Sequence, residues 1–304
     1  MPVETVKLRS RSSPEKRRPS FFWLLAALIL PLWSCMTRFR FTRDSRLPQT
    51  GPFILSPNHY SEIDPLVMGV AVWHLGRMPR FMAKASLFRV PVLGWLLRGS
   101  GQIPVEREGT VRKGSDNPIG AASELIRQQA GVIVYPEGSL TRDPDLWPMR
   151  GKSGAVRLAL RSGMPLIPVA HWGTQELMPR YGKRIPPFPR KTIRIAVGEP
   201  IDLSAFEGRE NDARAIAEAT ALLMGEIAAL LGQLRGEVPP AELDTDDEHQ
   251  PLTGQFAGIE LTEFYWEQQR AKRVLFFWVV AVLTLAAAAG AGAWTLGTNL
   301  PNLL

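Results

Sequence analysis

The chain has 304 residues, 45% hydrophobic and 21% charged, which is enough for one large domain or two small ones. Its single cysteine, Cys35, excludes an internal disulfide framework, a CxxC redox pair and any zinc site that needs several thiolates. The net charge of +7 is confined to residues 1–46, which hold ten Lys or Arg and three acids. The rest of the chain balances 26 basic against 26 acidic residues. The protein body therefore lacks the basic surface that nucleic-acid binding requires.

The N-terminal part combines a basic tail, residues 1–20, with an apolar run at 21–36 that contains Pro31. Basic residues lie on both sides of this run, so a single membrane crossing would place one cluster on the wrong side. A half-buried helix or a re-entrant hairpin keeps both clusters against anionic headgroups. The rival interpretation is a secretory signal peptide, which the absence of a small-x-small cleavage site disfavours. Residues 21–46 are therefore predicted to be a membrane-associated segment with basic flanks.

The stretch from 47 to 235 alternates short apolar runs with helical patterns. Strands are predicted at 53–56, 81–83, 101–105, 131–135, 166–170 and 192–197. Helices are predicted to begin at 64 and to cover 87–98, 118–130, 153–162 and 211–234. Asp64 and Pro65 are typical of an N-cap and the first helical position. Several strands are apolar on both faces, so this stretch is predicted to be one layered α/β domain.

The C-terminal part begins with a predicted acidic linker, residues 236–273, in which 237–250 carry six acids and no Lys or Arg. Residues 274–296 form an uncharged run of 23 residues. A run of this length is long enough for a transmembrane helix. Basic residues precede this run, and the tail at 297–304 has none, so the positive-inside rule places everything before the helix in the cytoplasm. A buried core helix is the alternative.

Common catalytic motifs are absent from the sequence: there is no GxGxxG, HExxH or GxSxG. The run Gly151-Lys152-Ser153 resembles the end of a P-loop, but Leu146 stands where the first glycine belongs. Of the four histidines, His249 lies in the acidic linker, and His74 is interpreted as a dipole partner at a helix end. His171 follows a strand and is interpreted as structural, with a substrate-lining role as the alternative.

His59 lies in a strand-to-helix loop, where α/β proteins place their sites. Asp64, five residues later, can fold back from the helix start to the imidazole. A carboxylate that fixes one histidine nitrogen makes the other a better general base. The competing interpretation is that Asp64 only caps the helix and His59 is an ordinary polar loop residue.

A second polar segment follows the strand at 131–135. Its Glu137, Gly138 and Ser139 can form a turn that binds phosphate or positions a substrate, with Arg142 and Lys152 as the cations. A solvated polar loop has a similar composition.

These segments together resemble the glycerolipid acyltransferases, typified by 1-acylglycerol-3-phosphate acyltransferase. Four blocks appear in the family's order over roughly residues 47–235: Asn58-His59 to Asp64, Gly101 to Arg107, Tyr135-Pro136-Glu137-Gly138-Ser139, and Leu166-Ile167-Pro168-Val169. The third block departs from the family, since Leu140 and Thr141 separate Arg142 from the Gly-Ser pair. This departure shifts the expected phosphate contact toward Arg107.

The resemblance implies an α/β fold with a mixed sheet flanked by helices, to which the apolar runs add the N-terminal membrane-embedded helix or hairpin and the C-terminal transmembrane helix predicted above. It implies a cell-membrane enzyme, with its catalytic domain on the cytoplasmic face, that moves a fatty acyl group to a lysophospholipid hydroxyl and most simply makes phosphatidic acid. The implied donor is acyl-CoA or acyl-carrier protein, and no metal or other cofactor is implied. Another lysolipid or a lipid glycan is the alternative acceptor. A lipid hydrolase and an inactive membrane scaffold are the competing classes.

In the implied mechanism, His59 is the base and Asp64 orients it. Arg107, with Arg142 or Lys152, holds the acceptor phosphate. The turn at Glu137, Gly138 and Ser139 shapes the acceptor pocket. The implied partners are membrane lipids and the two substrates, with no nucleic acid.

Overall fold

A computed structural model of the chain describes residues 3–7, 12–17, 21–105, 118–182 and 184–243. Arg107, the predicted transmembrane helix at 274–296, the tail at 297–304 and most of the predicted linker lie outside the described residues. The chain divides into two units, and nearly all described residues belong to the unit made of Met1–Arg180 and Pro186–Asp246. The other unit contributes only residues 181, 182, 184 and 185 to the description, a short irregular segment.

The described strands form a six-stranded sheet of order β1-β2-β8-β7-β3-β6 and a two-stranded sheet of β4 and β5. Their bounds are β1 Thr5–Val6, β2 Thr37–Thr42, β3 Phe53–Pro57, β4 Met82–Lys84, β5 Ile103–Val105, β6 Gly131–Ile133, β7 Leu166–Trp172 and β8 Lys191–Val197. In the larger sheet, β1–β2 and β7–β8 pair antiparallel and the other neighbours pair parallel. The predicted mixed sheet is confirmed.

Helices connect and cover these strands. Their bounds are α1 Pro14–Arg17, α2 Phe21–Met36, α3 Asp64–His74, α4 Pro91–Gly99, α5 Pro118–Gln128, α6 Gly154–Ser162, α7 Thr174–Leu177 and α8 Ala213–Arg235. The predicted helices agree with α3, α5, α6 and α8 to within two residues, the margin at which helix ends are defined, whereas α4 begins four residues after its predicted start at 87.

The sheet is buried between two helical layers. In β3, Phe53 and Leu55 face a core that includes Val67 and Met68 of α3, whereas Ile54 faces the core formed with α5, α6 and α8. All five side chains are at most 1% exposed, and each such aliphatic or aromatic burial stabilises the fold by about 1.5–3 kcal/mol. Burial on both faces explains why β3 is a continuous apolar run.

The N-terminal edge of the body differs from the sequence-based prediction. Residues 37–42 were expected among the basic flanks of a membrane segment, with the domain starting at 47, but they form β2 and pair with β8 from Thr37 opposite Lys191 to Phe41 opposite Ile195. The run Thr-Arg-Phe-Arg-Phe-Thr alternates polar and aromatic residues with a period of two, as a half-buried strand does. Its arginines are one face of that strand.

The apolar run at 21–36 forms one helix, α2, rather than a hairpin. Trp33 is buried in the core, and Trp23 meets Trp73 of α3 edge-on at 5.3 Å between ring centroids. Trp23, Leu24 and Leu32 are nevertheless 45–63% exposed, so part of this apolar helix faces away from the core. Among the described helices of 18 or more residues, only α8 is apolar enough to cross a membrane, and 56% of its most apolar window is buried. Its inward face packs in the core, so α8 is a core helix of the domain.

Candidate active site

Two loops meet at the carboxyl edge of the sheet because β3 and β6 are parallel neighbours. The loop after β3 carries His59, and the loop after β6 carries Glu137. The backbone N–H of His59 donates to Oε1 of Glu137 at 2.9 Å, which joins the two loops directly. This edge is where open α/β sheets bind their ligands.

His59 and Asp64 form a hydrogen-bonded pair. Nδ1 of His59 lies 3.0 Å from Oδ2 of Asp64, whose carboxylate is completely buried. A carboxylate only accepts hydrogen bonds, so Nδ1 carries the proton and Nε2 holds a lone pair. The His59 side chain is 16% exposed. The imidazole is therefore partly accessible while its Nδ1 stays bonded to Asp64.

Asp64 does not act as an N-cap. The residue before the helix is Ile63, and Oδ2 of Asp64 accepts from the backbone N–H groups of Tyr60 and Ser61, at 2.8 Å each, as well as from His59. The N-cap prediction was wrong by one position, because Asp64 already has helical geometry and its side chain points back into the loop. The interpretation in which Asp64 merely caps the helix is excluded.

Two further contacts fix His59. Its carbonyl oxygen accepts the backbone N–H of Thr141 at 2.7 Å, and its ring lies against that of Tyr135 with centroids 4.2 Å apart. With Asp64 and Glu137, these contacts hold the backbone on both sides and the ring on one face. The imidazole is thus held in place before any substrate arrives, as general-base catalysis requires.

Glu137 is a buried bridge between two loops. Oε1 accepts from the His59 backbone and Oε2 from the Met149 backbone at 3.1 Å, and the residue is 1% exposed. Burial raises the pKa of Glu137 to about 8, although both backbone hydrogen bonds act in the opposite direction. The sequence assigned Glu137 to the acceptor pocket, whereas both of its oxygens face backbone amides. Its role here is to position His59.

His171 and Asn58 form a second clamp behind the pair. The Asn58 side chain exchanges hydrogen bonds with the His171 backbone at 2.9 and 3.2 Å, and Nε2 of His171 lies 3.0 Å from the Asn58 carbonyl. Burial lowers the pKa of His171, so its neutral ring donates from Nε2 and accepts from Thr174 at Nδ1. The ring is completely buried, which fits the structural interpretation and leaves it no direct access to a substrate.

His74, interpreted from the sequence as a helix-dipole partner, does end α3. Burial and then the charges of Lys16 and Lys7 lower its pKa, and its ring packs against Phe39 and Phe41. A neutral imidazole contributes little to the dipole, so packing is its main role.

The remaining predicted site residues lie in or near the turn at Gly138. Gly138 has φ +71°, and a Cβ there would lie 3.0 Å from Cδ of Lys152, so the turn requires glycine. Lys152 is anchored by its backbone N–H, which donates to the Pro136 carbonyl at 2.7 Å. Ser139 has a buried hydroxyl for which no protein partner is found among the described residues. Arg142 is exposed on the loop beyond.

The third-block departure has a structural consequence. Leu140 and Thr141 are 6% and 1% exposed, so the two extra residues turn inward instead of extending the loop into solvent. Thr141 thereby reaches the His59 carbonyl, and Arg180 donates to the carbonyls of Thr141 and Asp143 at 2.7 and 2.8 Å. These supports and the Tyr135 contact were not predicted from the sequence, since no local pattern marks them. Among the described residues, no cluster of three or more His, Cys, Asp or Glu could hold a metal ion.

Comparison with known proteins relates the part of the chain that carries this site to one family. A family model described as acyltransferase matches residues 38–172, a stretch that starts in β2 and includes the His59, Glu137 and His171 segments. This match covers less than half of the chain and supports the glycerolipid acyltransferase family for that stretch. The family match also begins within β2, which agrees with the sheet boundary and not with a domain starting at 47.

Individual relatives of this acyltransferase domain carry related names. A chloroplast 1-acyl-sn-glycerol-3-phosphate acyltransferase of Brassica napus is 27% identical over 199 residues, 62% of this chain and 55% of that protein. The 1-acyl-sn-glycerol-3-phosphate acyltransferase of Bacillus subtilis is 28% identical over 176 residues, 58% of this chain and 80% of that protein. The chain thus spans about half the length of the chloroplast relatives it matches.

One solved structure resembles the acyltransferase domain at the level of the chain trace. The 1-acyl-sn-glycerophosphate acyltransferase PlsC of Thermotoga maritima superimposes with a TM-score of 0.48 and 19% sequence identity, covering 68% of this chain and 79% of that one. The resemblance to acyltransferases rests on the family model and the sequence relatives.

Proposed function

We propose that the protein is an O-acyltransferase that moves a fatty acyl group from a thioester donor, acyl-CoA or acyl-carrier protein, to the free hydroxyl of 1-acylglycerol-3-phosphate. The observation that carries this proposal is the His59–Asp64 pair, 3.0 Å apart, at the carboxyl edge of the sheet. The names of the sequence relatives support the acceptor.

The proposed chemistry needs one base and no acyl-enzyme. Nε2 of His59 takes the proton of the acceptor hydroxyl while the hydroxyl oxygen attacks the thioester carbonyl. Asp64 stabilises the imidazolium that forms. Collapse of the tetrahedral intermediate breaks the carbon–sulfur bond, and the thiolate recovers the proton from His59. Lys152, Arg142 and Arg107 are the proposed cations for the acceptor phosphate, and the Ser139 hydroxyl is the proposed neutral contact on the same turn.

Membrane association is the second part of the proposal. The exposed Trp23, Leu24 and Leu32 give α2 an apolar surface that would enter the acyl region of a leaflet, where both the acceptor and the product reside. The uncharged run at 274–296 would add a transmembrane anchor. The basic residues before it favour the cell membrane, with the catalytic domain on its cytoplasmic face.

The proposed reaction is tested with membranes that contain the protein, radiolabelled palmitoyl-CoA and lysophosphatidic acid. We expect labelled phosphatidic acid from the wild type and none above background from His59→Ala. His74→Ala is the matched control, because this histidine lies on the helix that follows the same loop but outside the site.

Two results would contradict parts of the proposal. Equal product from wild type and His59→Ala would remove His59 as the base. Absence of product from the wild type, with product from a known acyltransferase in the same assay, would exclude this acceptor and direct the search to other lysolipids and lipid glycans.

A further inference from the structure

A groove of about 780 Å³ runs between α5 and α6, outside the His59–Asp64 pair. Ala122 and Ile126 of α5 line one side. Ser153, Arg157 and Arg161 line the other and recur every fourth residue, so they share one face of α6. At 1.5 Å per residue this row spans about 12 Å.

The groove is positively charged along its length. Lys152, Arg157 and Arg161 line it, and none of the described residues that line it is acidic. Nε of Arg157 donates to Oγ of Ser153 at 3.1 Å, so its guanidinium is held in place within the wall. The nine-residue helix α6 also begins at this end, and its positive dipole end adds to the field. Such a surface suits a ligand with several phosphate groups.

One end of the groove reaches the catalytic turn. The Lys152 side chain lies along Gly138, and the neighbouring Glu137 holds the His59 backbone. Arg161 lies about two helical turns farther along α6. A ligand that follows the groove would therefore have one end near His59 and its anionic part well away from it.

We propose that this groove binds the phosphorylated nucleotide end of acyl-CoA, an inference that rests on the proposed acyl transfer and names its donor. The pyrophosphate and the ribose phosphate of CoA are separated along the nucleotide, which matches the separated cations at Arg157 and Arg161 and leaves Lys152, beside Gly138, to the acceptor phosphate. The pantetheine arm then extends toward Gly138 and presents the thioester to His59.

The acceptor does not fit the same groove. Its reacting hydroxyl and its phosphate lie on adjacent carbons of glycerol, so the phosphate must stay beside His59 and cannot reach Arg161. An acidic carrier protein fits less well, because docking between proteins uses a broad complementary field. The positive charge of this face is concentrated in a concave groove.

The test compares two donors that share a thioester and differ in the nucleotide, palmitoyl-CoA and palmitoyl-pantetheine. In the full-length double variant Arg157→Gln/Arg161→Gln, we expect KM for palmitoyl-CoA to rise about tenfold or more, as the loss of charge-assisted hydrogen bonds implies. We expect kcat, KM for lysophosphatidic acid and the use of palmitoyl-pantetheine to stay unchanged. Arg214→Gln, an exposed arginine on α8 paired with Glu218, is the matched control.

Several outcomes overturn the proposal. An equal effect on both donors would make the arginines structural. A rise confined to KM for the acceptor would assign the groove to the acceptor phosphate, and a KM effect confined to palmitoyl-carrier protein would assign it to a protein donor.

Should no donor be turned over at all, the proposed function fails but the groove is still testable. Calorimetric titration with free CoA would show binding to the wild type that is about tenfold weaker in the double variant. Equal binding, or no binding to the wild type, rejects the groove.

Discussion

The carboxylate of Glu137 accepts the backbone N–H of His59 at 2.9 Å, so an acid on one loop fixes the position of the candidate base on another. This contact links β6 to β3 beyond the last pair of their ladder, which joins Leu55 to Ile133. It is also a titratable link, because burial raises the pKa of Glu137 to about 8.

Glu137→Gln tests this link through the pH dependence of stability. Between pH 4.5 and about 8, Glu137 is protonated in the folded protein and ionised in the unfolded chain. Its contribution to the free energy of unfolding is therefore complete below pH 4.5 and is lost as the pH rises to 8. In the variant, one of the two accepting oxygens becomes an NH₂ group, which cannot accept the backbone N–H that faces it. We expect the free energy of unfolding at pH 5 to be about 1–3 kcal/mol lower than in the wild type. We expect that deficit to shrink toward pH 8 in thermal melts. A deficit independent of pH would show that the pKa is not raised.

Asp64→Asn tests the orientation of the base. The asparagine oxygen can still accept from Tyr60 and Ser61, but its NH₂ group would face Nδ1 of His59 and favour the tautomer whose Nε2 carries a proton. We expect kcat to fall by about 10³-fold or more, as for the equivalent change in a serine protease triad, with little change in KM. Asp202→Asn, at an exposed position, is the control. Retention of wild-type kcat would show that Asp64 does not orient the base.

Two substitutions at Tyr135 distinguish the role of its ring from that of its hydroxyl. Its ring supports His59, while its buried hydroxyl has no hydrogen-bond partner among the described residues. Tyr135→Phe should therefore keep activity and leave the free energy of unfolding equal or about 1 kcal/mol higher, since an unpaired buried hydroxyl is unfavourable. Tyr135→Ala should lower kcat because the imidazole loses one supporting face. Loss of activity in Tyr135→Phe would instead assign the hydroxyl a role in catalysis.

Arg77 is the main buried cation of the body. Its guanidinium donates to Glu15 and to the carbonyls of Pro48, Gly51 and Gln129 while only 1% exposed. Arg77→Met leaves these acceptors unpaired and should lower the free energy of unfolding by about 3–5 kcal/mol, measured by denaturant melts.

Arg43→Met provides the contrast, because its ion pair with Glu4 is about two-thirds exposed on both sides. We expect a change within about 0.5 kcal/mol there. Similar losses in the two variants would mean that the Arg77 contacts contribute no more than a surface pair.

The sequence predicted those features that depend on local pattern. Continuous apolar runs identified β3 and β7, and the polar loops that follow β3 and β6 located the site. The sequence left two alternatives for Asp64, contact with His59 or helix capping alone. The contact was possible because a carboxylate at the end of a loop can fold back to His59, whereas in a continuous helix the two side chains would diverge. The four ordered blocks were enough to indicate the family.

Other features depend on distant partners and carry no local signal. β2 was missed because Arg38 and Arg40 beside an apolar run suggest a basic flank, and only pairing with β8 makes them one face of a strand. Glu137 was assigned to substrate because nothing in its surroundings shows that backbone amides at His59 and Met149 would occupy both oxygens. His171 supports Asn58 across 113 residues of sequence.

The junction between α2 and β2 has a mechanical consequence. The helix ends at Met36 and the strand begins at Thr37, so no linker separates the proposed membrane-embedded element from the central sheet. A tethered domain can tumble above a bilayer, but a helix joined by one peptide bond to a strand of the sheet transmits its own tilt to that sheet. The depth and angle at which α2 settles in a leaflet would then set the height of His59 above the acyl chains.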